Sequence, residues 1–219
     1  LRDNVEFQKW GQQYVTCADG YITFCKDVCD MLVLPATCSN DNEPIEVCET
    51  YASEKGYDIN SLIRMGEKVR DNTRTLSVAV SSGVSPISGD KIFEIADDEI
   101  FIGMGVHGES GYGRQKIDTS NKIVSLMLDK IFDDFTYNSG DVIIPFVNGA
   151  GATTLMELLI IFDDVEKYLS KYNIKIFKPL VSELITTQES GGFSISLLKS
   201  DEQMRSLWHS GSSAPYFHL

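Results

Sequence analysis

The sequence predicts an α/β fold, with α+β as the alternative: a mixed β-sheet flanked by helices. Three observations carry that expectation. From about Tyr51 onward, short β-type runs alternate with helical ones. Val142–Val147 is a near-continuous apolar run of strand length, as expected for a strand covered on both faces. Directly after it, Leu155, Leu158, Leu159, Phe162, Val165, Leu169 and Tyr172 recur at helical spacing. At 219 residues, 42% of them hydrophobic, the chain is long enough to bury a sizeable core.

Residues 1–50 differ from the rest. They hold all five cysteines (Cys17, Cys25, Cys29, Cys38 and Cys48), are rich in aromatic residues and lack strand–helix alternation, so they are set apart as an N-terminal segment of open role. An odd cysteine count without paired C-x-x-C spacings argues against a disulfide scaffold. Cys25 and Cys29 would share one face of a helix, but a metal there needs two more distant thiols and no histidine. Ordinary reduced thiols of a cytosolic protein are the simpler expectation.

Within 51–219, Asp58 is placed to cap a helix carrying Ile59, Leu62, Ile63 and Val69 on one face. Thr75–Val80 reads as a strand, broken by Ser81-Ser82-Gly83 and Pro86, and Lys91–Ile95 as another. The acidic turn Asp97-Asp98-Glu99 leads into a glycine-rich run, Phe101 to Gly111. Ile123, Val124, Met127, Ile131 and Phe135 predict a helix over about 120–135. The strand at 142–147 empties into Asn148-Gly149-Ala150-Gly151-Ala152-Thr153-Thr154, and Thr154 with Glu157 has the form of a capping box that starts the long helix. Ile174–Phe177 and Phe193–Leu198 complete the strands.

Charge narrows the function classes. Nineteen Lys and Arg against 32 Asp and Glu give a net charge of −13, which repels a phosphate backbone unless bases cluster, and no cluster is seen. No apolar stretch nears the ~20 residues that cross a bilayer, and the start Leu1-Arg2-Asp3-Asn4 does not read as a secretory signal. The expectation is a cytoplasmic protein with neither nucleic acid nor membrane as partner.

The most informative stretch for chemistry is Gly103–Gly111, where four glycines in nine residues surround His107 and Glu109. Glycines at that density let backbone adopt positive φ and approach a small polar ligand. A neutral His107 imidazole can then act as base, metal ligand or nucleophile, although a turn whose histidine bonds only to backbone fits the same composition. Asn148–Thr154 could hold an oxyanion on free N–H groups, but it lacks the Lys-Ser/Thr ending of a P-loop, which favours a tight βα turn. Thr186–Gly192 offers hydroxyls and one carboxylate in what reads as a solvated turn, and His209 and His218 read as packing or docking residues.

Taken together, Gly103-x-Gly105-Val106-His107-Gly108-Glu109-x-Gly111, Val147-Asn148-Gly149-x-Gly151-Ala152-Thr153 and Gly192-Phe193-Ser194-Ile195-Ser196-Leu197-Leu198 resemble, in order and spacing, the substrate-binding subunit of dihydroxyacetone kinases. The likeness runs from about Tyr51 to Leu219 and implies that 51–219 is a substrate-binding domain of that kind. It implies that His107 forms a covalent hemiaminal with the ketone of dihydroxyacetone, with Gly105, Gly108 and Glu109 completing the substrate site. It implies no cofactor or metal on this chain, ATP or ADP with Mg on a partner nucleotide-binding subunit or domain, and a homodimer. The alternative within the resemblance is a catalytically inactive paralogue that binds dihydroxyacetone as a coactivator of a transcription regulator. The sequence departs from the family at Phe101, Ser110, Thr154 and Thr187–Ser190, and the family's N-terminal Gly-Gly-Gly-Ser-Gly-His-Glu-Pro motif has no counterpart in it.

Overall fold

The computed structural model describes residues 55–104, 110–187 and 189–209, with the backbone of the short strands at 213–214 and 217–218. The cysteine-containing segment 1–50 lies outside them. The chain divides into two compact units, one of them Thr73–Asp201 and the other Leu1–Asn72 with Glu202–Leu219.

In the second of these units, helix α1 (Ile59–Asp71) starts where expected, the Asp58 carboxylate accepting from the Ser61 N–H at 2.9 Å. The buried residues of α1 are Met65, Gly66 and Val69, whereas Ile59 is exposed. Helix α4 (Glu202–His209) buries Met204, Leu207 and Trp208. Strands β8 (Ser213–Ala214) and β9 (Phe217–His218) pair antiparallel.

The Thr73–Asp201 unit is a mixed seven-stranded sheet with two helices. In chain order it contains β1 (Thr73–Ser81), β2 (Glu99–Met104), β3 (Ser110–Lys116), α2 (Ser120–Asp134), β4 (Val142–Gly149), α3 (Leu155–Lys171), β5 (Lys175–Ile176), β6 (Leu180–Ser182) and β7 (Gly191–Lys199). The strand order is β3-β2-β1-β7-β4, and both β5 and β6 lie parallel along the far edge of β4. All other pairs are antiparallel.

One face of this sheet carries the core. Leu76 and Val78 of β1, Ile100 and Ile102 of β2, Ile143 and Val147 of β4, and Phe193, Ile195 and Leu197 of β7 meet the buried seams of α2 and α3. On α3 that seam is Leu158, Ile161, Val165, Tyr168 and Leu169. Leu155 and Leu159, expected on it, are exposed; Leu159 stands about 100° round the helix from Leu158 and so leaves the seam. By the alternation of a strand, Ile144, Phe146 and Leu198 point to the other face, and they are buried too. β4 is therefore covered on both sides, as its unbroken apolar run predicts.

Two strand expectations need correction. Lys91–Ile95 forms no strand: Val84 and Lys91 make a single antiparallel bridge, and Ile92 is exposed. Both edges of β1 are already taken, by β2 and β7, so the sheet has no place for it there. The strand expected at Ile174–Phe177 is only the two residues of β5; Lys178, at φ 38°, turns the chain, and the same edge resumes as β6.

Candidate functional site

His107, Gly105, Gly108 and Glu109 fall in 105–109, outside the described residues; the frame that carries them is described. β2 and β3 form an antiparallel hairpin whose last pair before the loop is Met104 with Ser110. The register shifts between Ile102 and Met104, where Gly103 takes φ 73°. Opposite it Gly111 sits at φ 35°, packed so closely that an added Cβ would lie 2.2 Å from the Gly103 carbonyl oxygen. Only glycine fits both demands, which accounts for the glycines at these two positions of the motif.

The stem is also pinned from the side. The Ser77 hydroxyl of β1 donates to the Met104 carbonyl at 2.6 Å. Beyond Gly111, the Lys130 ammonium of α2 lies 4.0 Å from the centre of the exposed Tyr112 ring, a cation–π contact.

Ser77 alternates with the core residues Leu76 and Val78, so it belongs to the sheet face away from the helices. The same face carries Thr75, Ser194 and Ser196, with Ser77 paired to Ser194 and Thr75 to Ser196 across β1 and β7. The Thr75 and Ser196 hydroxyls are 2.7 Å apart. The hairpin stem thus stands beside a row of hydroxyls. The alternation of Ser and Thr with apolar residues in Thr75–Val80 and Phe193–Leu198 is the sequence signal for this row, one that reads as ordinary strand patterning until the pairing is known.

The structure brings the second and third loops together. Asn148, 5% exposed, accepts from the Leu184 and Ile185 N–H groups at 2.8 and 3.0 Å and donates to the Ile185 carbonyl at 2.8 Å. The Ala150 carbonyl receives both the N–H and the hydroxyl of Thr187. Thr153 donates its hydroxyl to the Gly192 carbonyl at 2.6 Å and accepts from the Gly192 N–H. The hydroxyls of Ser81 and Ser190 receive the N–H groups of Gly191 and Gly83. These hydroxyls are spent on fixing backbone, which is the work of a structural clasp.

At its edge the capping box of α3 is present in full, with Thr154 and Glu157 each binding the other's backbone N–H. The Thr154 hydroxyl and N–H hold the Glu157 carboxyl below the usual carboxylate range. That carboxylate occupies the helix start where an anion would have to sit, so the tight βα turn is the reading this loop supports. Strand direction separates it from the glycine-rich hairpin: β4 runs parallel to β1 and β2 antiparallel to it, so their carboxyl ends lead to opposite ends of the sheet.

Of the remaining candidates, His209 ends α4 and His218 lies in β9. Among the described residues no group of three or more His, Cys, Asp or Glu could hold a metal ion, and no helix is long and apolar enough to cross a membrane.

A mixed sheet with a glycine-pinned hairpin at one edge and a βα clasp on the central strands defines the class. The Dak1 domain profile matches residues 45–216, and the chain belongs to that family. The family includes the dihydroxyacetone-binding subunits of dihydroxyacetone kinases. Two of them come from Listeria innocua: subunit DhaK of PTS-dependent dihydroxyacetone kinase 1, 36% identical over 69% of this chain and 46% of its own, and that of kinase 2, 31% identical over 77% and 51%. A solved structure described as a dihydroxyacetone kinase operon co-activator superposes with a TM-score of 0.71 at 25% identity, covering 75% of this chain and 51% of that one. The chain thus spans about half the length of these relatives.

Proposed function

We propose that this chain is the ketone-holding part of a dihydroxyacetone-type kinase, with 51–219 as the substrate-binding domain and His107 as the residue that captures the substrate. The match of the Dak1 profile across the glycine-framed hairpin is the observation that carries this reading. In the step proposed, a nitrogen of the neutral imidazole adds to the carbonyl carbon of dihydroxyacetone. A C–N bond forms, the carbonyl π pair moves to oxygen, and the proton lost from the ring ends on that oxygen, giving a hemiaminal. Gly105 and Gly108 leave room for the carbonyl to reach the ring. Glu109 is the nearest carboxylate in sequence to accept a substrate hydroxyl. A terminal hydroxyl then faces a phosphoryl donor, ATP or ADP with Mg, held by a partner nucleotide-binding subunit or domain. The chain works as a homodimer in the cytoplasm.

Intact-mass measurement after incubation with dihydroxyacetone tests the capture. The chain gains the mass of one dihydroxyacetone, His107→Ala gains none, and the adduct fades as the medium is acidified below the ordinary histidine pKa of about 6.5, since only the neutral ring is nucleophilic. An undiminished adduct on the variant removes His107 from the role.

The co-activator structure favours a second reading, a ketone-binding protein without kinase output. A coupled assay with a nucleotide-binding partner separates the two: turnover supports the kinase component, and adduct without turnover the binding protein.

A further inference from the structure

The first two turns of α3 are apolar on both sides. Leu158 and Ile161 go into the core, while Leu155, Met156, Leu159 and Ile160 stand 57, 71, 51 and 51% exposed. At 100° per residue these four are centred about 160° round the helix from the buried seam, on the face turned away from the core. A helix that is apolar all round is ordinarily covered all round, yet these side chains stay open to solvent. Single exposed leucines are common, but these residues are contiguous: Leu155–Leu159 and Met156–Ile160 form two i, i+4 ridges with a groove between them.

Charge says what covers the stripe. The chain as a whole carries −13, so two copies repel unless they meet where that charge is balanced. The outer face of α3 is such a place. Past the stripe its exposed ionisable residues are Asp163, Glu166, Lys167 and Lys171, two acids against two bases, and Asp163 and Lys167 pair with each other. Glu157, the remaining exposed acid of the helix, lies about 130° round from the middle of the stripe and is taken up by the capping box. A basic partner drawn by the acidity of the chain would find little to hold here, whereas an identical neutral face brings no repulsion.

We infer that the outer face of α3 is the surface on which two copies of this chain pair, the first two turns of one helix lying against those of the other. In a two-fold pair the Leu155–Leu159 ridge of each copy enters the groove between the two ridges of its mate, so the same four residues serve both sides, as an isologous contact requires. Four large side chains at this exposure amount to a few hundred Å². That is the apolar centre of an interface which, with its polar rim, buries about 800 Å² on each partner. The inference rests on the homodimer of the proposed function, for which it names the surface, and needs nothing from ketone capture at His107.

The test is sedimentation velocity of the full chain over about 1–100 μM, where an interface of this size should take it from monomer to dimer. Added salt should strengthen the pairing, because it screens the repulsion between two chains of −13. Met156→Glu and Leu159→Glu should each weaken it about tenfold or more by burying a charge at the centre of the contact. Both side chains are already exposed, so the far-UV circular dichroism of the variants should match wild type. Ile87→Glu adds the same charge at a side chain 97% exposed outside α3 and should leave pairing at wild-type strength. Intact mass after dihydroxyacetone reads capture by His107 separately. A monomer at every concentration hands the stripe to a different partner and overturns the inference. A dimer that Met156→Glu and Leu159→Glu leave intact, or that Ile87→Glu weakens equally, also overturns it, while the homodimer itself stands with its surface elsewhere.

Discussion

Replacing Gly111 with alanine tests whether the hairpin stem fixes the loop that carries His107. At φ 35°, an added Cβ would fall 2.2 Å from the Gly103 carbonyl oxygen and 2.5 Å from that of Ile102, where real Cβ contacts stay beyond 3.0 Å. Both obstacles are backbone, so no rotamer relieves them and the two strands must part by most of an ångström. That parting acts on the Met104–Ser110 pair directly beneath residues 105–109. Gly113, two residues on, provides the control: it has φ 93° but nothing within 4 Å of its would-be Cβ. Gly113→Ala therefore carries only the left-handed backbone cost, about 1–2 kcal/mol. Gly111→Ala adds the clash and should lose about 3–4 kcal/mol. Urea unfolding followed by circular dichroism reads the difference, and intact mass after dihydroxyacetone reads the consequence for capture. Gly111→Ala should lose most of the adduct and Gly113→Ala should keep it. Equal destabilisation of the two variants to within about 0.5 kcal/mol would refute the steric argument.

Three further outcomes follow from the same geometry. Asn148→Ala strips three hydrogen bonds from a buried side chain and leaves the 184–185 backbone unpaired, and should cost about 2–4 kcal/mol in urea unfolding; a loss under about 1 kcal/mol would show the clasp to be slack. Thr154→Ala removes the α3 cap and should cost about 1 kcal/mol near neutral pH. The Glu157 carboxyl is lowered in the fold, so its share of the cap is present above the ordinary value of 4.5 and fades as pH falls through the lowered one; the gap between wild type and variant should narrow on acidification, and a constant gap argues against the coupling. Ser77→Ala frees the Met104 carbonyl and should cost about 1 kcal/mol while reducing ketone adduct more than an equally destabilising Thr154→Ala; parity between the two would detach Ser77 from loop placement.

Much of the fold was legible because single strong signals carried it. An unbroken apolar run marked β4, helical spacing of apolar residues marked α2, and Asp58 and the Thr154–Glu157 pair fixed the starts of α1 and α3 to the residue. Pairing was not legible in the same way. Lys91–Ile95 has strand composition, but whether it joins a sheet depends on a free edge, and β2 and β7 occupy both edges of β1. Lys178 enters the left-handed region without being a glycine, directly before Pro179, so the strand expected at Ile174–Phe177 shortens to β5, and β6 beyond the turn has no expectation in the sequence reading. On α3, Leu155 and Leu159 satisfy helical periodicity but not burial, because the seam that meets the sheet is narrower than the apolar stripe.

The site divides along the same line. Glycine density marked the 103–111 hairpin correctly as a place of unusual backbone, and the positive φ of Gly103 and Gly111 is what that density encodes. The other two motifs share the composition and do different work, since Gly149, Gly151 and Gly192 stand where a Cβ would strike Glu183, Thr186 or the Val78 carbonyl within 2.9 Å. Those glycines are demanded by close packing of loops around Asn148 and Thr153. A glycine-rich motif therefore reports a tight backbone, and only its neighbours tell whether the tightness serves a ligand or the fold. At Gly149–Thr153 the neighbours are hydroxyls already committed to backbone. At Gly103–Gly111 the two described glycines shape a hairpin stem, and the sequence between them holds a histidine and a carboxylate, the residues that the proposed function assigns to ketone capture.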